Sequence, residues 1–427
     1  MATQLPFSLR AYRYATSALE PIASLALKRR ARRGKENPER ISERLGFASR
    51  ARPDGTLIWI HGASVGECLS VLPLIDALLT KPGRSVLMTS GTVASAEMMA
   101  GRLPPGAFHQ FSPVDTPAAV ARFLGHWRPD IGLFVDSEIW PNTLIGAHSR
   151  GVRLAIVNGR MSEKSFAGWR KAKRMAAALL SLYDICLVQD DESAARLRAL
   201  GAKNVRVTGN LKADAPDLPA DPTELNALQL AIEDRPVVLA ASTHPGEEEI
   251  VVEAHALLRR HYPALLTIIA PRHAERGGEI AKLGGARSFK RRSQGEQPDR
   301  TTEIYLADTM GELGLFYRLA HLSFVGGSLV PHGGQNPMEA ARLGSAVLAG
   351  PYTDNFRSAY EAIFAAQRAG RVVSAAEIAN LVARSFGNPV EMRRMTEAAA
   401  GAVAVLGGAV ERTRAAVEAM LSPNART

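Results

Sequence analysis

The feature that most constrains this chain is a rhythm that stops once and starts again. From Thr56 onward, short apolar runs at residues 57–60, 85–88, 131–135, 154–157, 185–188 and 205–207 alternate with amphipathic stretches at 68–79, 92–102, 117–127 and 192–200. Runs this short and this uniformly apolar suit strands buried on both faces, and the intervening 3.6-residue periodicity suits covering helices. The segment "KADAPDLPADPTE" (212–224) breaks the pattern with three prolines and no apolar period, as an interdomain connection does. The alternation then resumes with runs at 237–241, 265–270, 304–306, 322–325, 346–348 and 371–373. Helical patterns at 247–260, 311–319, 337–343 and 356–368 lie between or after them, and the alanine-rich tail beyond Val390 reads as one long closing helix. The expectation is an α/β protein with two doubly wound Rossmann-like domains facing across a cleft. Their bounds are 53–213 and 225–427, joined by a linker at 214–224. A length of 427 residues agrees with two cores rather than one.

Composition excludes several classes. With 46% hydrophobic and 22% charged residues the chain is neither disordered nor an integral membrane bundle. Its two cysteines, Cys68 and Cys186, are far apart and read as buried reduced thiols. The net charge of +10 is uneven: up to Arg52 there are twelve Lys or Arg against four Glu. The remainder is nearly neutral, which argues against a nucleic-acid groove. Within residues 1–52, the stretch from Tyr14 to Leu27 is broken by Glu20 and Pro21 and is too short and polar to span a bilayer. It ends in Lys28-Arg29-Arg30, a pattern suited to docking on an anionic membrane face at about 1 kcal/mol per basic residue. A basic helix packed on the protein's own domain is the alternative.

Open parallel sheets bind ligands beyond the carboxyl ends of their strands. In the first half those ends read "HGASVGE" (61–67), "TSGT" (89–92), "VDSEIWPN" (135–142), "VNGRMS" (157–162) and "TGNLKAD" (208–214). Glu67 falls in a first helical turn behind Ser64, where a carboxylate can cap the helix or take a proton. Glu138 precedes Trp140-Pro141 and admits the same two readings. Lys212 stands at the edge of the linker. In the second half "ASTHPGEE" (241–248), "APRH" (270–273), "ADTMGEL" (307–313) and "FVGGSLVPHGGQNPMEAA" (324–341) follow successive strands. Free helix N–H groups and Arg272 suit a phosphate, Asn336 suits polar edges, and Glu339 suits ribose hydroxyls. There is no GxxxxGK[ST] loop, no GxGxxG opening the first unit, no HExxH or Cys/His metal spacing, and no GxSxG elbow.

Taken in order, "HGASVGE", "DSEIWPN", "NGRMS", "TGNLKAD", "STHPGEEE", "APRH", "DTMGEL", "FVGGSLV" and "GGQNPMEAA" resemble the signature stretches of the bacterial Kdo transferases. These enzymes move 3-deoxy-D-manno-oct-2-ulosonic acid (Kdo) from CMP-Kdo to a lipid A precursor. The resemblance runs from about Arg40 to at least Tyr360. It implies a GT-B glycosyltransferase of lipopolysaccharide core biosynthesis, without cofactor or metal, on the cytoplasmic face of the inner membrane. It also implies Glu67 as general base and Glu138 and Lys212 as transition-state support. CMP contacts would come from Pro271, Arg272, Met310, Gly311, Glu312, Asn336, Pro337, Met338 and Glu339. The sequence differs from enteric relatives in "HGAS", "VDSE" and "GGQNP", where those have HSVS, METE and GGHNP. The rival readings are a transferase or epimerase using a UDP-sugar, and a non-catalytic membrane-associated sugar-nucleotide binder.

Overall fold

The apolar runs become strands because each can be covered from both sides. In the first unit these are β1 (Thr56–His61), β2 (Arg84–Ser90), β3 (Ala107–Phe111), β4 (Ile131–Val135), β5 (Arg153–Gly159), β6 (Ile185–Val188) and β7 (Val205–Val207). They form one parallel sheet in the order β3-β2-β1-β4-β5-β6-β7. Trp59, Phe123, Trp127, Phe134 and Leu154 pack on one face, and Ile58, Ile60, Leu74, Leu133 and Val157 on the other. The computed structural model describes residues 5–285 and 287–422. It separates into a unit of residues 1–215 with 407–427 and a unit of residues 216–406.

The second unit contains β8 (Val237–Thr243), β9 (Leu266–Pro271), β10 (Phe289–Arg291), β11 (Ile304–Leu306), β12 (Leu322–Val325) and β13 (Ala346–Leu348). Their order is β10-β11-β9-β8-β12-β13, again all parallel. In each sheet the strand order reverses once, between β1 and β4 in the first and between β8 and β12 in the second. Those switch points open the crevices in which doubly wound sheets hold ligands.

Several expectations need correction. Residues 371–373 form no strand; Arg371 makes a single bridge to Ala349. The alanine-rich tail is not one helix but two, Pro389–Leu406 and Ala409–Leu421, parted at Gly408 with φ +80°. The second of these belongs to the first unit, so that domain 225–427 gives up its last segment. Ala409, Ala416 and Val417 are buried in the first unit's core, and Glu418 pairs with Lys81 at 2.7 Å and Arg84 at 2.5 Å. Residues 1–52 are not a separate body either. Helices Phe7–Ala18 and Glu20–Ala31 belong to the first unit, with Leu9 and Leu27 buried. Tyr12 donates to Asp115 at 3.0 Å, and Asn142 donates to Thr16 at 2.9 Å. Both cysteines are buried, and burial pushes each thiol up to about 12, which leaves them inert packing groups.

Candidate functional site

The β1/β4 switch point holds the first cluster. Beyond β1 the chain turns through Gly62-Ala63-Ser64 into helix Val65–Ser70. Ser64 is its N-cap, its hydroxyl accepting from Glu67 N. The Glu67 carboxylate accepts from Ala63 N at 2.8 Å and from the Ser64 hydroxyl at 2.7 Å. The capping and catalytic readings of Glu67 are therefore not exclusive. Two donors fix the carboxylate, and a carboxylate has about four lone-pair sites, so acceptor capacity remains for a substrate hydroxyl. Glu67 is half-exposed, not turned into the core.

Beyond β4 the backbone is bent hard. Asp136 has φ +61°, and Asn158, the penultimate residue of the neighbouring β5, has φ +52°. Such left-handed conformations are uncommon outside glycine and gather at functional sites. Burial raises the Asp136 carboxyl to about 6, with Arg160 opposing, Glu67 adding to the rise, and Lys212 and the Ser137 hydroxyl opposing. Glu67, Asp136, Arg160 and Lys212 thus share one electrostatic neighbourhood, drawn from four strand ends. Asp136 and Arg160 were not singled out from the sequence, where Glu138 drew the attention.

Glu138 has other partners. Its carboxylate accepts from the Trp140 indole at 2.6 Å and stands 3.8 Å from Nε2 of His61, a buried ring whose Nδ1 is 3.0 Å from the Thr89 hydroxyl. Burial works to raise the Glu138 pKa, but the contacts with His61 and Trp140 outweigh it and hold the carboxyl below its usual range. Lys212 sits in the single turn Leu211–Asp214. Asn158 Oδ1 accepts from Leu211 N, and Asn210 Oδ1 accepts from Lys212 N. Asp214 in turn accepts from Gly408 N and Val410 N, both at 2.6 Å, while Arg412 donates to Thr208 O at 2.9 Å. The returning C-terminal helix therefore braces the turn that presents Lys212.

The second cluster occupies the carboxyl ends of β8, β9, β11 and β12. Arg272 is exposed just past β9, and Pro271 is buried as its last residue. Asn336 caps helix Pro337–Arg342, accepting from Met338 N and donating to Glu339 at 2.9 Å. Pro337 and Met338 are buried beneath this cap. Met310 is 69% exposed and Gly311 has φ +88°. The helix expected to begin at residue 311 begins at Leu313. Glu312 is held by Arg292 at 2.6 Å, the guanidinium keeping its carboxyl below the usual range, and Arg292 also reaches Glu224 at 2.8 Å.

The glycine-rich amides after β12 are already engaged. The buried Glu247 carboxylate accepts from four backbone N–H groups: His244 at 2.9 Å, Gly327 at 2.7 Å, Ser328 at 3.0 Å and Leu329 at 2.9 Å. The amides of "FVGGSLV" hold an internal carboxylate, so they shape the site rather than receive the ligand. Among the described residues no group of three His, Cys, Asp or Glu is arranged to hold a metal ion.

Comparison with known proteins decides the family. The profile described as "3-Deoxy-D-manno-octulosonic-acid transferase (kdotransferase)" matches residues 39–215. A 3-deoxy-D-manno-octulosonic acid transferase of Rickettsia bellii is 33% identical over 377 residues, 88% of this chain and 90% of the relative. The chain belongs to the 3-deoxy-D-manno-octulosonic acid transferase family. It is a glycosyltransferase. Another family member, from Bordetella pertussis, is 34% identical over 95% of this chain and 98% of its own. Among solved structures, a putative UDP-N-acetylglucosamine 2-epimerase from Listeria monocytogenes aligns over 86% of this chain and 97% of its own, with TM-score 0.58 and 16% identity. That likeness is one of fold, two Rossmann-like units of the GT-B-like kind.

A pH-dependence follows for this transferase. Burial holds the Asp136 carboxyl protonated up to about pH 6, and above that its charge joins the neighbourhood of Glu67, Arg160 and Lys212. Activity should change across pH 6, where Asp136 gains its charge. Because its folded pKa lies above the ordinary value, Asp136 costs the folded state stability as pH rises through about 6. Asn tolerates the left-handed backbone, so Asp136→Asn should fold, lose the limb near pH 6 and be more stable than wild type at neutral pH. A pH–rate profile with the limb unchanged in the variant would remove Asp136 from this role.

Proposed function

We propose that this chain transfers Kdo from CMP-Kdo to a glucosamine hydroxyl of a lipid A precursor, with inversion at the sugar's anomeric carbon. The observation that carries the reading, given the family, is Glu67. It is a half-exposed carboxylate pinned by two donors at a sheet switch point, in one electrostatic neighbourhood with Lys212.

CMP is already a competent leaving group, so the reaction does not need an acid behind it. It needs a base for the acceptor hydroxyl, and the half-exposed, doubly anchored carboxylate of Glu67 supports its reading as that base. A retaining mechanism would usually require a second carboxylate as nucleophile. Glu138 is engaged with Trp140 and His61, which suits support rather than attack. As the CMP phosphate departs it gains charge, which Arg272 stabilises in the second unit by a few kcal/mol where water is excluded, while Lys212 supports the transition state beside Glu67 in the first. Asn336 and Glu339 address the cytidine and ribose polar groups, with Met310, Gly311 and Glu312 along the nucleotide. Equilibrium titration should show CMP binding at least tenfold tighter than UDP; preference for UDP would overturn the donor assignment.

The acceptor's acyl chains stay in the membrane, and the first two helices dock the enzyme there, at the cytoplasmic face. Phe7 and Tyr14 are each 78% exposed and Leu25 is 69% exposed, with Leu19 and Ile22 beside them and Lys28, Arg29 and Arg30 in the last turn. Among the described residues no helix is long and apolar enough to cross a membrane, so the reading is adsorption. Leu9, Tyr12 and Thr16 hold the first helix to the protein, so point substitution tests docking better than deletion. Changing Phe7, Tyr14, Ile22 and Leu25 together to Ser should lower affinity for anionic vesicles at least tenfold and leave CMP binding unchanged. Undiminished vesicle binding would discard the docking face.

A further inference from the structure

Three histidines converge at the second unit's switch point, and the nucleotide reading uses none of them. His244 follows β8, His273 follows β9, and His332 lies in the loop after β12. The His244 and His332 rings stack at 4.3 Å and 24°, and His273 meets His244 edge-on at 6.2 Å. His244 is buried, whereas His273 and His332 are exposed beside exposed Arg272. The exposed rings of His273 and His332 do little for folding, because neither removes much apolar surface from water.

The platform beneath them is rigidly made. Ser242, at the β8 edge, has φ +55°. Gly326 approaches so closely that a Cβ there would lie 2.4 Å from Ser242 O. Glu247 ties His244 N to the amides of Gly327, Ser328 and Leu329. The Gln335 side-chain amide nitrogen is 3.0 Å from His244 Nε2. An amide NH₂ can only donate, so that ring nitrogen accepts and the buried imidazole is neutral. Burial, followed by the charges of His332, His273, Arg272 and Arg276, lowers His244 to about 4 and so agrees with a neutral ring. Of the neighbouring charges, Arg276 is committed to Glu248 at 2.7 Å and Glu275 stands 3.6 Å from His273.

We propose that His273 and His332, arrayed on neutral His244 beside Arg272, form the subsite for the carboxylate of the donor's sugar acid. The inference rests on the proposed donor. A CMP-linked sugar acid carries two anionic groups, the bridging phosphate and the carboxylate. Arg272 serves the first, and the remaining imidazole N–H donors provide for the second. A neutral nucleotide sugar leaves them without a partner, and so the cluster selects an acidic sugar.

The test is equilibrium binding of three probes: CMP, a non-hydrolysable CMP–sugar-acid analogue, and its carboxamide counterpart. Wild type should bind the acid at least tenfold tighter than the carboxamide. His273→Ala/His332→Ala, both exposed sites, should abolish that preference while holding CMP affinity within about twofold. A double variant that still prefers the acid as wild type does overturns the subsite. Loss of CMP affinity in the variant also overturns it, because the histidines would then serve the nucleotide. Failure of wild type to bind CMP at all would fell the donor reading, and the subsite with it.

Discussion

Glu67→Gln should lower Kdo transfer by about 10²–10⁴-fold, with CMP affinity unchanged. The amide cannot take a proton from the acceptor, yet its carbonyl oxygen can still receive the Ala63 N–H or the Ser64 hydroxyl. The structural share of Glu67 is separable, because Ser64→Ala removes the cap and leaves the carboxylate. That variant should cost about 0.5–2 kcal/mol in stability and much less than tenfold in rate. If the two variants were equally impaired, Glu67 would be a cap and no more. Full activity in Glu67→Gln would remove it from the mechanism outright.

The largest stability effect should come from Glu247→Ala. Four backbone N–H groups in the second unit converge on this buried carboxylate, and truncation leaves all of them without a partner. Breaking a buried charged network costs about 3–5 kcal/mol. For a unit of this size that lowers the unfolding midpoint by roughly 10 °C. The loop after β12 should loosen, and CMP affinity should fall at least tenfold even where the variant remains folded, because the same loop leads into Asn336 and Glu339. Glu249→Ala, an exposed neighbour on the same helix, should do neither. A Glu247→Ala protein with wild-type thermal stability would show that the amides find other partners.

Much of this was legible in the sequence, for reasons that particular residues make clear. The strand at Ile131–Val135 and the helix at Pro117–Trp127 were found at their true ends, because an unbroken apolar run and an N-terminal proline are local signals. The strand Ala107–Phe111 was not found. Its interior carries Gln110, which accepts from the Trp127 indole, and His109, which contacts Ser90 and Arg40. Those polar groups are tolerated only because of partners far along the chain. The short edge strand Phe289–Arg291 was missed for a similar want of apolar pattern.

The site divides in the same way. Glu67 was readable because Ser64 and the preceding apolar run mark a strand-to-helix turn. Asp136 was not, since its neighbours Glu67, Arg160 and Lys212 come from other strands. In "GEEE" nothing local tells buried Glu247 from exposed Glu249; only the approach of β12's loop does. The C-terminal helix was assigned to the second domain because sequence adjacency favoured it. The pairing of Asp214 with Gly408 and Val410, nearly two hundred residues on, decides otherwise.

The most direct measurement is the mass of the product formed when the full chain is incubated with CMP-Kdo and a tetraacylated lipid A precursor. The account predicts an acceptor heavier by whole Kdo residues, with release of CMP, and no such gain with Glu67→Gln. An acceptor of unchanged mass in the presence of intact CMP-Kdo, or a gain only from a UDP-sugar, would contradict it.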